Sequence, residues 1–483
     1  MSFPDLGLLN VLPMLILTGW ACVLLLVDLF IPSERKYLTP ILAALGLAVA
    51  LIFTLPQVGS QTIAFDGMLV MDGFAVALSL VVLVSGLPAI ALAYGYLKRM
   101  DIERGEYYPL MLFSVVGVML MAAAADLIVV FLALELFSIP LYIMAAFDRH
   151  KEASEEAGIK YFLLGAFSGG FVLYGIALIY GAAGSTHLQQ IFAAANGGLE
   201  HPVFFIIGSA LILVGLGFKV AAVPFHMWTP DVYQGSPTST TAFMAVIAKV
   251  GGFAALLRIF ITALPSTSID LSPVLWGLAA ATLIVGNVLA IAQTNIKRLL
   301  AYSSISHAGF MLMAVTAYGD DAVHFDAAAS IIFYLLAFAI TSFGAWAVVI
   351  SLEGKEDRGL ALADYAGLAR KNPIMAAAMA AFMFSFTGIP PTIGFAGKLY
   401  IFRAVIEAGF VGLAVIGVLT SLVSAYYYLR VIVIMYMQDG KPAVHKEPLL
   451  QFVTAAAGIS VLGLIFLAEP LFSWAANSVL RLF

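Results

Sequence analysis

Apolar stretches long enough to cross a bilayer follow one another along this chain almost without a gap. They fall at roughly 10–30, 38–56, 74–96, 107–124, 127–146, 158–182, 203–222, 237–264, 274–293, 299–318, 325–350, 374–409, 411–437 and 450–468. Each is near or beyond the about 20 residues that a spanning helix requires. Hydrocarbon leaves no water to satisfy backbone N–H and C=O groups, so a chain of such stretches must fold as helices. Fourteen of them predict an all-α polytopic membrane protein. Charged residues are only 11% of the chain, against about 25% in soluble domains, so length here sets a helix count rather than a domain count. The stretch 374–409 counts once, because Gly388, Pro390, Pro391 and Gly394 divide it into two half-helices. A short amphipathic piece, 186–195, is expected in the interface.

The basic residues orient these helices. Arg35, Lys36, Lys98, Arg99, Arg104, Arg149, Lys151, Lys160, Lys297, Arg298, Lys355, Arg358, Arg370, Lys371, Lys441 and Lys446 all fall in alternate connections. The connections 57–73, 183–202, 265–273 and 319–324 hold no Lys or Arg. By the positive-inside rule the basic loops are cytoplasmic and both termini lie outside. The N-terminal run follows no basic segment and is longer than a signal-peptide core, so it is expected to be a retained helix.

Several chemistries are excluded. The sequence holds no G-x-x-x-x-G-K-[ST] and no G-x-G-x-x-G after a strand, and the longest polar connection, 352–373, is too short for a nucleotide fold. Its single cysteine, Cys22, cannot build a disulfide framework or an iron–sulfur site.

Against this apolar background four ionisable residues stand out: Glu135, Lys219, Lys249 and Lys398, each inside a long apolar run. A charge at the centre of a spanning helix costs roughly 2.5–3.5 kcal/mol on insertion scales, and such groups mark ion or proton routes. Pro224 follows Lys219, so the helix should break near it. Lys398 likewise stands beside the Pro/Gly break at 388–394. Paired broken helices in corresponding positions of two halves point to a transporter built from repeats. Lys219 is the candidate counter-charge for Glu135, and lysine suits that role because its proton affinity moves readily on burial. His226 and His307 add groups that titrate near neutrality. Asp126, Asp231, Arg258, Arg403, Glu407 and Arg430 read as helix-end or loop residues.

The segments LELFSIPLYIMAAF, GLGFKVAAVPFHMWTPDVYQGSPT, NIKRLLAYSSISHAGFMLM and GIPPTIGFAGKLYIF resemble the antiporter-like membrane subunits of bacterial NADH:quinone oxidoreductase, respiratory complex I, and the subunit N type among them. A lysine at 398 separates the chain from the M type, which carries glutamate there. The resemblance implies two inverted five-helix repeats, helices 4–8 (about 107–264) and 9–13 (about 274–437). Helices 1–3 (1–97) precede them, a C-terminal helix (about 450–468) follows, and helices 7 and 12 are discontinuous. It implies that Glu135 and Lys219 form a modulating pair, that Lys249 and His226 lie on a central hydrophilic axis, and that Lys398 is the terminal lysine toward the outside; His226 and His307, by their titration near neutrality, are the candidate proton relays. It further implies no cofactor on this chain, with NADH, FMN, iron–sulfur clusters and quinone on other subunits. The implied partners are the M subunit and small membrane subunits in the bacterial inner membrane, with no nucleic acid. The alternative is a subunit of a multisubunit Na⁺/H⁺ antiporter without redox coupling.

Overall fold

The computed structural model describes residues 6–262, 271–317 and 323–479. The protein is an all-α membrane protein. Its helices are α1 (Leu12–Asp28), α2 (Leu38–Thr54), α3 (Gly73–Arg99), α4 (Tyr107–Ala123), α5 (Leu127–Ala145), α6 (Glu152–Ala183), α7 (Leu188–Gly197), α8 (Pro202–Val220), α9 (Trp228–Gly235) and α10 (Thr238–Thr262). There follow α11 (Ser272–Ile291), α12 (Ile296–Ala317), α13 (His324–Leu352), α14 (Leu368–Lys371), α15 (Pro373–Thr387), α16 (Ile393–Glu407), α17 (Val411–Met437), α18 (Pro448–Gly463) and α19 (Ala468–Val479). Among the described residues 11 helical runs are long and apolar enough to span a membrane, and α1, α4 and α15 are shorter apolar helices. The connections 265–273 and 319–324 and the C-terminal end lie mostly outside the described residues.

Helix starts follow local chemistry. Asp72 caps α3 by accepting from Ala75 N–H (2.8 Å), and Asp126 caps α5 by accepting from Ile128 N–H (2.7 Å). These contacts satisfy N–H groups that the first turn leaves orphaned. Proline opens α1, α8, α11, α15 and α18, where its missing N–H costs nothing. A two-stranded hairpin, β1 (Thr62–Ala64) with β2 (Leu69–Met71), joins α2 to α3. The polar loop 352–373 holds two 3₁₀ turns and the one-turn α14. The final helix also runs further than the sequence suggested: α18 continues through a 3₁₀ turn into α19.

The centre of the bundle is set by three helices. The apolar windows of α10, α12 and α13 are 100%, 94% and 89% buried, whereas those of α6 and α17 are 39% buried and turn one face outward. Around α10 pack α3, α4, α5 and α8; around α12 pack α11, α13, α16 and α17. Two groups of helices therefore meet along α10, α12 and α13. Outward-facing Leu132, Ile139 and Ile143 on α5 suit a hydrocarbon solvent, and Cys22 is similarly exposed.

Both helix breaks are present. The α8 helix ends at Val220, four residues before Pro224, because Ala221 adopts a left-handed conformation (φ 61°). Ala222 N–H then reaches back to Gly217 C=O (2.8 Å), and α9 resumes at Trp228. The α15 helix ends at Thr387 with Gly388 left-handed (φ 85°), and Ile389 N–H bonds Phe384 C=O (3.0 Å). Each break is thus a Schellman-type cap. Val223–Pro224 and Pro390–Pro391 are both cis.

Candidate functional site: a row of buried amines and hydroxyls

The row begins on α5. Glu135, Ser138 and Tyr142 are spaced i, i+3 and i+7, which puts them on one face. Lys219, in the last turn of α8 and 1% exposed, points at that face. Its ammonium donates to Ser138 Oγ (2.8 Å) and Tyr142 Oη (2.7 Å) and lies over the rings of Tyr142 and Phe137. Glu135 is half-buried and acts on the ammonium through space. Glu135 and Lys219 thus act on each other through space and not through a direct hydrogen bond. Hydroxyls one and two turns further along α5 occupy the donors instead.

The next amine meets the end of the same helix. Lys249, midway along α10 and 2% exposed, donates to the carbonyl of Val220, the last residue of α8. Lys398, near the start of α16, repeats the arrangement at the second break. It donates to the carbonyl of Thr387, the last residue of α15 (2.8 Å), and to Ser421 Oγ on α17 (2.8 Å), with the Phe310 ring 4.4 Å below. The last carbonyls of a helix lack intrahelical partners and carry the negative end of the macrodipole, so a cation there is favoured.

His307 stands between these amines. It is buried on α12, with Nδ1 2.7 Å from Tyr334 Oη and Nε2 3.2 Å from Tyr428 Oη. Lys249 and Lys398 both lie within electrostatic range of its ring. Tyr428 also bonds Ser303, and beside it Tyr427 donates to Asn287, whose amide bonds Ser306 (2.7 Å). His226 lies outside the helices, in the connection that follows the first break. It sits in the turn between α8 and α9, half-buried, and its Nδ1 is buried without a hydrogen-bond partner.

Of the residues read as structural, Asp126 is the α5 cap, and it also accepts from Thr186 (2.7 Å). Asp231 is ion-paired with Arg298 (2.7 Å) and Lys160 (3.2 Å). Arg258 lies near the C-terminal end of α10, as read from the sequence. Fully buried, it holds Asp72 with two hydrogen bonds and donates to Ala122 C=O. Lys297, grouped with the loop cations by the charge pattern, is 1% exposed in the first turn of α12. The hydroxyls of Ser138, Tyr142, Tyr334, Ser421 and Tyr428 escaped sequence reasoning. Only the first two carry a signal, their helical spacing from Glu135. Among the described residues no group of three or more His, Cys, Asp or Glu is placed to hold a metal ion.

Residues 124–424 match the family model described as NADH:quinone oxidoreductase/Mrp antiporter, membrane region. The chain is 44% identical to a Chloroflexus aggregans protein named NADH-quinone oxidoreductase subunit N, covering 100% of this chain and 99% of that one. A chain in the solved structure of respiratory complex I from Thermus thermophilus with bound aureothin superposes with a TM-score of 0.83. It is 36% identical, and the match covers 96% of this chain and 99% of that one. A chain of the Mrp complex from a Dietzia species has the same fold (TM-score 0.85) at 22% identity, over 97% of each chain.

Proposed function

The chain belongs to the subunit N family of bacterial NADH-quinone oxidoreductases, and from that membership we propose a proton path through its row of buried amines. The protein is a proton-translocating membrane subunit of NADH:quinone oxidoreductase, partnered by other membrane-arm subunits. Its basic connections face the cytoplasm and both termini the outside. The redox groups, NADH with FMN, iron–sulfur clusters and quinone, act on other subunits of the complex.

One observation carries the reading: Lys219, Lys249 and Lys398 are all buried at helix breaks, and the acceptors of their protons are neutral hydroxyls and carbonyls. Such an amine can lose its proton without leaving a carboxylate stranded. Glu135, close enough to act on Lys219 but not locked to it, supports a modulating role for that carboxyl. In this reading His307 passes a proton between Lys249 and Lys398. His226, whose ring Nδ1 lacks a partner, belongs to the Lys219 side. Helices α4–α10 and α11–α17 are the two repeats, preceded by α1–α3.

The test is Lys219→Ala and Lys219→Arg in the assembled complex. Both should lower proton pumping and coupled quinone reduction severely, because alanine removes the site and arginine cannot release its proton. Full pumping by well-assembled Lys219→Ala membranes would remove Lys219 from the path. Co-purification of flavin- and iron–sulfur-bearing subunits separates this assignment from a stand-alone antiporter.

A further inference from the structure

A second cluster of buried ionisable groups lies outside the row of amines, at the end of the bundle that carries the basic connections. Glu353 caps α13 and is 3% exposed. Its Oε1 accepts from Tyr96 Oη on α3 (3.2 Å), and its buried Oε2 makes no well-formed hydrogen bond and faces the Thr238 hydroxyl, which is likewise buried without one. Tyr96 Oη in turn accepts from the backbone N–H of Thr238 at the start of α10 (3.0 Å). Lys297, opening α12, is the strongest counter-charge acting on Glu353, and its ammonium donates to Ser236 C=O (2.6 Å). Ser236 Oγ and Tyr365 Oη are also buried without partners. Buried polar atoms in native proteins are nearly all satisfied, by protein or by ordered water. Several orphaned atoms around one buried carboxyl mark a place built to hold water.

The remaining charged groups around Glu353 are accounted for. Lys151 and Asp357, paired with each other and 33% and 54% exposed, lie on the solvent side and act on the cluster through space. Arg99 pairs with Glu447 and donates to Ile350 C=O (2.6 Å), while His445 backbone N–H donates to Ser351 C=O (2.8 Å). Burial raises the Glu353 carboxyl above the ordinary range, and Lys297 only partly offsets this.

From this cluster α12 leads inward, buried along its length except at Arg298. Seven residues after Lys297, about 10 Å along the axis, Ser304 lies 3.5 Å from Tyr233 Oη on α9. Ser303 bonds Tyr428, and Tyr428 meets His307.

We propose that Glu353 and Lys297 form a proton-loading site at the cytoplasmic end of the seam between the two helix groups, delivering protons along α12 to His307. This rests on the proton-translocating role stated above and adds an uptake point separate from Lys219. A proton from cytoplasmic water binds the Glu353 carboxylate. The carboxyl passes a proton inward through water, and the Ser303 and Tyr428 hydroxyls each accept one proton as they release another. A His307 ring nitrogen receives the last, and the carboxylate is restored, with no change of oxidation state.

The experiment uses Glu353→Gln and Glu353→Asp in the assembled complex, in inverted membrane vesicles, with Lys219→Ala measured in parallel. Coupled proton pumping by Glu353→Gln should fall about tenfold at alkaline pH. That is less than the about 10²–10⁴-fold a positioned proton-transfer group supplies, because water can still deliver protons slowly. The loss should ease as pH is lowered and proton supply rises. Glu353→Asp should keep most of the activity. The carbonyl-stretch infrared band of a protonated buried carboxyl should disappear in Glu353→Gln. Wild-type pumping by Glu353→Gln, or a loss of the same size at every pH, overturns the loading site. If Lys219→Ala also pumps fully, the path through the amines fails as well; if only Lys219→Ala is blocked, the loading site alone fails.

Discussion

Every deeply buried lysine described in this protein is met by neutral acceptors, and the deeply buried Arg258 is met by a carboxylate. Lys219, Lys249, Lys297 and Lys398 are 5% exposed or less and donate to hydroxyls and carbonyls. Arg258 instead grips Asp72 with two hydrogen bonds. The contrast follows from chemistry. Guanidinium stays charged and needs a permanent counter-ion, whereas an amine must be free to lose its proton if it is to pass one on. Asp72→Ala should therefore cost about 3–5 kcal/mol of stability, since it strands a buried charge. Proton pumping per assembled complex should stay near wild type. Thermal unfolding of the purified complex and a pumping assay check the two halves of that expectation. Conversely, Tyr142→Phe should leave the fold intact but the Lys219 ammonium short of an acceptor, a penalty of about 1–3 kcal/mol for a buried donor. That penalty favours the neutral amine, so the pH optimum of pumping should shift to lower pH. An unchanged optimum would mean that Tyr142 does not set the lysine's proton affinity. The ionisable residues themselves were legible in the sequence because a charge in an apolar run is conspicuous. Their acceptors were not, because they depend on the rotation of one helix against another.

At the scale of elements, the two breaks are built alike but with different residues at the left-handed position. Gly388 takes φ 85° without penalty, whereas Ala221 takes φ 61°, at a cost of roughly 1–2 kcal/mol for an L-residue. A Cβ on Gly388 would also stand 2.7 Å from Cδ of Lys398. Gly388→Ala should therefore destabilise the protein by about 1–2 kcal/mol and push the lysine stem off its seat on Thr387. Ala221→Gly should cause no loss of stability, because it relieves the strained position. Thermal midpoints of the two purified variants test the contrast, and a destabilising Ala221→Gly would show that the alanine methyl matters more than its backbone. Sequence placed the first break near Pro224, and the helix stops four residues earlier. Proline explains why a helix cannot continue, but the actual stop is the left-handed Ala221, and alanine announces no such turn. At the second break Gly388 does announce it, and the helix ends where the glycine stands.

Over the whole molecule, the apolar stretches made nearly every membrane helix legible, since the bilayer imposes length and composition on each of them. The seam was hidden, because α10, α12 and α13 bring together residues far apart in the chain. Lys297 illustrates the difficulty: in sequence it is one more cation at a helix start, and only packing shows it to be buried. The same packing decides how Lys249 and Lys398 should behave together. They reach opposite helix breaks, yet both act on the ring of His307. If one proton passes from Lys249 through His307 to Lys398, the three groups work in series. Removing any one then blocks transfer about as fully as removing two, the non-additive pattern of residues that act as a unit. If each lysine only tunes the local field, its loss is partial and the two losses roughly add, as for independent sites. The geometry favours series behaviour, because each lysine is bound to a different half-helix and both act through space on the buried His307. Proton uptake into vesicles, normalised to assembled complex, should be equally low for Lys249→Ala, Lys398→Ala and the double variant, and His307→Phe should match them. Partial losses that add would retire the relay and leave both lysines as fixed charges at helix ends.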